Sequence, residues 1–444
     1  MNTTPCLLLS ALLATAALAG GTLDVSLFGA FPDDGKDDTL AVRAALTQAK
    51  KQGARKLTFA KGRYDFYPDK AFERYQFISN NDEGLKRIVL PLDGLKNFEV
   101  DGQGADFLFH GYLSPVTVDG CRDIVLRNFT VDYARTFHSE GKILAVTNSY
   151  ADVEIAPEYP YSVESGILKF HDGKPAKERT LYPVRGLLEF DPVKREVAYQ
   201  ARDYWLGDEI LAQDLGNRRV RLLREKLKGT PGNIFVFGPD HRLVCGIAVS
   251  DSRGVTVEDV TLFHCGGMGV IGQRSSDLFV RRVKVTTPPG KNRIVSLTAD
   301  ATHFVNCGGQ VVLEDCLFEL QKDDATNVHG IYVRIAERLA PAIVDVKLAH
   351  PQQFGFDFIR KGQKLELVKG QFISLLGPPP VLLQLVTYAQ GILHPRFPVF
   401  QRGNVRNGNH NLFSGTGRRR VQPAFSHCIA VFREGPGNVV WRKV

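Results

Sequence analysis

Three aspartates hold the residue types and spacing that could do chemistry: Asp300, and the adjacent pair Asp323 and Asp324, which follow it by 23 and 24 residues. A repeat of a little over 20 residues is the length of one coil in a parallel β-solenoid. The spacing therefore predicts Asp300 and the pair at equivalent points on neighbouring coils. Stacked strands lie about 4.7–4.9 Å apart, so the three carboxylates would cluster. Such a cluster suits glycoside hydrolysis, in which one carboxylic acid protonates the leaving oxygen and one carboxylate takes a proton from water. Mutual repulsion keeps one member protonated. On this reading Asp323 or Asp324 is the acid, Asp300 and the other aspartate form the base, and the anomeric carbon is inverted. Inversion ordinarily places roughly 6.5–9.5 Å between the carboxyls. Adjacent strand residues point to opposite faces, so Asp323 and Asp324 can both serve only at a bend. The plainer alternative makes all three turn and surface carboxylates.

Further polar residues stand near this frame. Asn327 and His329 follow the pair and could bond sugar hydroxyls or tune the acid; a backbone-bonding Asn in a turn explains Asn327 equally well. His303 follows Asp300 by three residues and divides evenly between a ligand contact and a core role. Asp132 and Arg135, at the end of an earlier coil, are weaker substrate-binding candidates, because an ion pair explains them too.

The elements that must position these residues read as short strands. Asn97–Gly102, Ile124–Asp132, Val255–Leu262, Leu278–Val285 and Val311–Phe318 alternate apolar and polar side chains, the pattern of strands with one face inward. Starts at 255 and 278 differ by 23, and the step to 311 is 33, so one coil carries an extra loop, Thr287–Val295. Charged residues alternating along these strands, such as Glu258, Arg281 and Lys284, read as the solvated face. Near the start, Asp37, Asp38 or Thr39 can cap a helix from Leu40 to Lys51 with Leu40, Ala44, Ala45 and Ala49 as its apolar face and Gly53 as its stop. The acidic run Asp33–Asp38 lacks the spacing of an EF-hand calcium loop. Residues 137–244 break the coil rhythm with strand runs and turn signals, and predict an inserted antiparallel β-barrel or sandwich. Trp205 lies there; a surface Trp can stack on a sugar ring, although Trp is more often partly buried core. The expected fold is all-β: a right-handed parallel β-helix with an N-terminal capping helix and inserted antiparallel modules. Its divisions are a leader over 1–19, coils over 20–136, the insert over 137–244, catalytic coils over 245–330, a second small β-module over 331–376 and an atypical basic tail over 377–444.

Composition narrows the function classes. The 444-residue chain has a net charge of +8, but between 378 and 444 nine basic residues face one acid, Glu434, which accounts for all of it. The body is neutral, which argues against nucleic acid or another polyanion as partner. Leu7–Leu18 is apolar and ends in an Ala-x-Ala site before Gly20, the pattern of a cleaved secretory leader. It is too short to span a bilayer, and no other segment qualifies, so the expectation is a secreted or periplasmic protein that is not membrane-bound. The seven cysteines show no C-x-x-C spacing and read as buried thiols rather than zinc ligands; Cys307 and Cys316 could pair. No metal or cofactor is called for. A homo-oligomer is compatible with the sequence.

Two resemblances sharpen this reading. The opening, with Asp24-Val25, Phe28-Gly29-Ala30 and Asp34-Gly35 before Asp37-Asp38-Thr39, resembles the start of pectate-lyase-like right-handed β-helix proteins, in which a helix caps the open solenoid end. The segments Thr298–Phe304, Leu313–Glu319 and Asp323–Gly330, with flanks Phe77–Asn81 and Gly330–Ile335, resemble the α-1,3-galactosidases of glycoside hydrolase family 110 over about residues 22–376. That resemblance implies a β-helix with inserted β-barrels, an inverting exo-mechanism, removal of terminal α-1,3-linked galactose without a metal, and Asp300, Asp323 and Asp324 as the catalytic aspartates. Where members of that family continue with further coils, this chain carries the basic segment. Three alternatives stand beside it. A polygalacturonase-like hydrolase would show Asn-Thr-Asp, Gln-Asp-Asp, Gly-His-Gly and Arg-Ile-Lys, where this chain has Thr-Ala-Asp, Lys-Asp-Asp and Val-His-Gly. A calcium-dependent polysaccharide lyase would use the same carboxylates as ligands. A non-catalytic solenoid would bind glycan without turnover.

Overall fold

The structure is a computed structural model that describes residues 21–357 except 82–83, 240 and 341–342, together with residue 359 and the strands Lys364–Lys369, Val381–Leu382, Arg396–Pro398, Cys428–Arg433 and Asn438–Arg442. The leader expected over 1–19 lies outside these residues, as does most of the basic segment.

Two long sheets run side by side along a right-handed parallel β-helix. In one, the main strands are Lys96–Phe109, Arg122–Tyr133, Arg253–Leu262, Ser276–Arg281 and Gly308–Glu314. In the other they are Leu85–Asp93, Ser114–Asp119, Ile247–Ser250, Val270–Gln273, Thr302–Val305 and Thr326–His329. Successive coils pair in parallel, as a solenoid requires. The alternation that marks these strands in the sequence sets their register. Val255 pairs with Ile124 on one side and Leu278 on the other, and Leu278 with Val311. All four are buried, so aliphatic residues repeat in one column of the core and each apolar side chain stacks on its equivalent in the next coil. The 33-residue step from Leu278 to Val311 keeps this register because the extra loop bulges out between strands. Coil corners recur with the same step: Asp259, Arg282 and Asp315 all adopt left-handed backbone, with φ of 53°, 50° and 52°. Asp bonds its local backbone readily there; the Arg is held by a two-nitrogen ion pair to Asp259 in the coil below.

The helix Thr39–Gln52 closes the open end, where an uncovered strand edge would otherwise template further pairing. Gly53 ends it in left-handed backbone with φ 67°. Its buried face is Val42, Ala45, Leu46 and Ala49. Leu40 and Ala44, expected on that face, are exposed; the helix starts at Thr39, and its rotation puts Val42 and Leu46 inward instead. Asp37 accepts from the Thr39 amide at 2.9 Å. Asp38 accepts instead from the amides of Phe31 and Asp65, tying the cap to the first coil.

An antiparallel sheet occupies Ser139–Gly238, between the strands Arg122–Tyr133 and Ile247–Ser250. It leaves the coil register intact: Arg122 pairs with Arg253 across the whole insertion. After Thr326–His329 the chain passes directly into Ile331–Ala340, which pairs antiparallel with Ile343–Leu348 and with Cys428–Arg433. Within the second module, Phe356, Asp357 and Ile359 lie outside any strand. Phe356 instead fills a small core with Ile331, Val333 and Val346 and packs against Phe77. Asn438–Arg442 pairs in parallel with Gly308–Glu314, so part of the basic segment continues the first sheet. Cys121, Cys245, Cys265, Cys307 and Cys316 are not in disulfides, and all are buried except half-buried Cys307; the pairing of Cys307 with Cys316 does not form.

Candidate active site

The strand pairing that aligns Thr302 with Thr326 and His303 with Asn327 sets the site. One step earlier, the amide of Ala301 donates to the Asp324 carbonyl and the amide of Gly269 to the Asp300 carbonyl, each at 2.9 Å. Asp300 and Asp324 therefore stand on adjacent coils at matching points just before the strands begin. The chain bends there: Asp323 and Asp324 precede the strand Thr326–His329, and the Asp324 amide donates to the Asp323 carboxylate at 3.1 Å. The bend brings both side chains to one side. One oxygen from each of Asp300, Asp323 and Asp324 lies within 4.8 Å of the other two.

The three carboxylates have different surroundings. Asp300 is 2% exposed, and its Oδ2 lies 2.6 Å from His303 Nδ1. His303 Nε2 lies 2.9 Å from both the Asn80 amide and His329 Nε2. His329 Nδ1 donates to the Gly330 carbonyl at 2.8 Å, and burial holds its ring below the ordinary histidine range. His329 is thus neutral, and its Nε2 faces His303 Nε2.

Asp323 accepts from Arg242 Nη2 at 2.5 Å. Desolvation raises its carboxyl above the ordinary range and the charge of Asp300 acts in the same sense, while Arg242 pulls it back. With 41% of the side chain exposed, that desolvation is partial. Asp324 is exposed and accepts from Asn327 Nδ2 at 3.2 Å. Lys322, half-buried before the pair, has its ammonium lowered by burial against the pull of Asp203 and Asp323.

Asp300, Asp323, Asp324, His303, Asn327 and His329 therefore meet in one place. Asp132 and Arg135 make other contacts. Asp132 pairs with Arg293 at 2.8 Å and Lys291 at 3.3 Å. Arg135 is buried, donating to the carbonyls of Thr136, His138 and His171 and to Ser139 Oγ. Both hold the joint between insert and coils. At this joint Glu140 accepts from the amides of Ile294 and Val295 and lies 3.0 Å from buried His138. The extra loop of the catalytic coil is thereby pinned to the inserted sheet. Arg242 and Lys322 went unrecognised as site residues in the sequence; only the Lys-Asp-Asp tripeptide pointed to Lys322, and nothing local marks Arg242.

The arrangement can share protons among three carboxylates and a histidine pair. A cation could sit among the three oxygens, but calcium takes 6–8 oxygen ligands. Asp300 is already committed to His303 and Asp323 to Arg242, which favours proton chemistry.

A family model described as GLAA-B beta-barrel domain I matches residues 139–235, the inserted sheet. The chain is 37% identical over 371 residues to "Alpha-1,3-galactosidase A" of Shewanella woodyi, covering 80% of this chain and 60% of that protein. It is 32% identical to "Alpha-1,3-galactosidase B" of Akkermansia muciniphila, covering 80% and 44%, and 29% identical to the protein of that name from Parabacteroides distasonis, covering 83% and 61%. The chain thus spans about 60% or less of the length of these curated relatives. Homologous to them along about four-fifths of its own length, the chain belongs to the family of the α-1,3-galactosidases.

Proposed function

We propose that the protein is an exo-acting inverting glycoside hydrolase that removes terminal α-1,3-linked galactose. The observation that carries this is the convergence of Asp300, Asp323 and Asp324 at one bend of adjacent coils in a chain whose curated relatives bear that name. Asp323 has the raised carboxyl and is the acid. Asp300, oriented by His303, and Asp324, oriented by Asn327, form the base that takes a proton from water on the opposite face. Their nearest oxygens are closer than the usual separation of an inverting pair; inversion is inferred from the family resemblance. The relatives' names favour a galactoside over a polyuronate, and the committed carboxylates count against the calcium lyase. The leader pattern supports export, with a glycan met outside the cytoplasm. The test is release of galactose from galactosyl-α-1,3-galactose by the wild type and by Asp300→Asn. Wild-type turnover in Asp300→Asn would remove the proposal.

A further inference from the structure

The inserted sheet presents a row of three residues toward the catalytic bend. Gly186 pairs with Gly238 on one neighbouring strand and with Trp205 on another. Directly paired residues share one face of a sheet. On that face Lys322 packs across the glycines: a Cβ on Gly238 would overlap its Nζ, and a Cβ on Gly186 would stand 3.8 Å from it. Lys322 precedes Asp323, so the two glycines make room for the bend that carries the acid. The third member of the row is large. Strand spacing places Trp205 about 10 Å from Gly238, two strands along.

Trp205 is unusual for its type, with 60% of its area exposed. It is nevertheless held in place. Arg185 lies over its ring at 5.8 Å from the centroid and is itself paired with Asp208 at 2.9 Å. Arg224 donates to the Trp205 carbonyl at 2.7 Å. The preceding residue turns the other way, the Tyr204 hydroxyl accepting from the Lys228 amide at 2.9 Å. Arg185, its charge compensated by Asp208, lies over the indole, and more than half of the Trp205 surface stays exposed. A broad apolar ring with a neutral polar rim fits the apolar face of a neutral pyranose.

We propose that Trp205 is a stacking platform for the saccharide on the leaving-group side of the scissile bond, so that the inserted sheet selects galactosides that carry further sugar. This rests on the glycosidase reading above. The test compares kcat/KM on α-galactosyl fluoride, which has no leaving sugar, with kcat/KM on an α-1,3-galactosyl trisaccharide. Trp205→Ala is expected to lower the trisaccharide-to-fluoride ratio about tenfold, the scale of one well-placed aromatic contact, and Trp205→Phe to restore most of it. An unchanged ratio in Trp205→Ala overturns the platform. Turnover of neither substrate by the wild type would instead count against the glycosidase reading. The platform is then read by tryptophan fluorescence, since the chain has only two Trp: quenching by the trisaccharide that is lost in Trp205→Phe supports it, and no quenching in the wild type overturns it.

Discussion

Asp300 and Asp324 occupy matching points on adjacent coils, joined through the Ala301 amide at 2.9 Å from the Asp324 carbonyl. One is buried against a histidine and the other is open beside an asparagine. The backbone ladder of the β-helix thus fixes the spacing of two carboxylates, and local partners make them chemically unequal.

If Asp323 is the acid, its loss should matter most where the leaving group needs a proton. Asp323→Asn is expected to lower kcat on galactosyl-α-1,3-galactose by about 10²–10⁴-fold, the usual contribution of general acid catalysis. On α-galactosyl fluoride, whose leaving group needs no proton, the loss should be far smaller. Equal losses on both substrates would reassign the role.

His303 holds Asp300 at 2.6 Å and is itself held by Asn80 and His329. His303→Ala is expected to reduce kcat by about 10²-fold through misplacement of the base, with little change in KM. Steady-state kinetics check this; a rise in KM with unchanged kcat would make His303 a substrate contact instead.

Burial pushes the Glu140 carboxyl up to about 7, against the bonds it accepts from Ile294 and Val295. A carboxyl raised above its unfolded value stabilises the fold fully below that unfolded value, near 4.5, and loses the contribution as pH rises through about 7. Glu140→Gln keeps the accepting oxygen and removes the titration. Its Tm relative to wild type is therefore expected to increase from pH 5 to pH 8, measured by thermal melts in roughly unit steps. A difference that stays constant across this window would show that Glu140 does not titrate there.

The carboxylate cluster is read as sharing protons rather than a cation. Treatment with EDTA is expected to leave galactose release unchanged, and added calcium to leave it unstimulated. Calcium-dependent cleavage of polygalacturonate would favour the lyase alternative.

Much of this architecture was legible because it is periodic. The 23-residue step from Val255 to Leu278 and the 23- and 24-residue steps from Asp300 to Asp323 and Asp324 are read from the sequence and reappear as coil register. What escaped is not periodic. Arg242 reaches Asp323 from 81 residues away and Asn80 reaches His303 from 223 away, and no local pattern encodes such pairs. Asp132 and Arg135 were visible as polar residues at a coil end, but their partners, Arg293 and the carbonyls of the insert, belong to other segments. The helix face was misread at Leu40 because, at about 100° per residue, Leu40 lies on the opposite side of the helix from Ala49, and Val42 and Leu46 flank the buried Ala45 and Ala49 instead.

The most direct measurement is proton NMR of the anomeric signals during hydrolysis of galactosyl-α-1,3-galactose, without added metal. Early appearance of β-galactose, with the α-anomer growing only by later mutarotation, is the expected result and establishes inversion by the aspartate cluster. Early α-galactose would contradict it, making one of the three aspartates a nucleophile and the mechanism retaining.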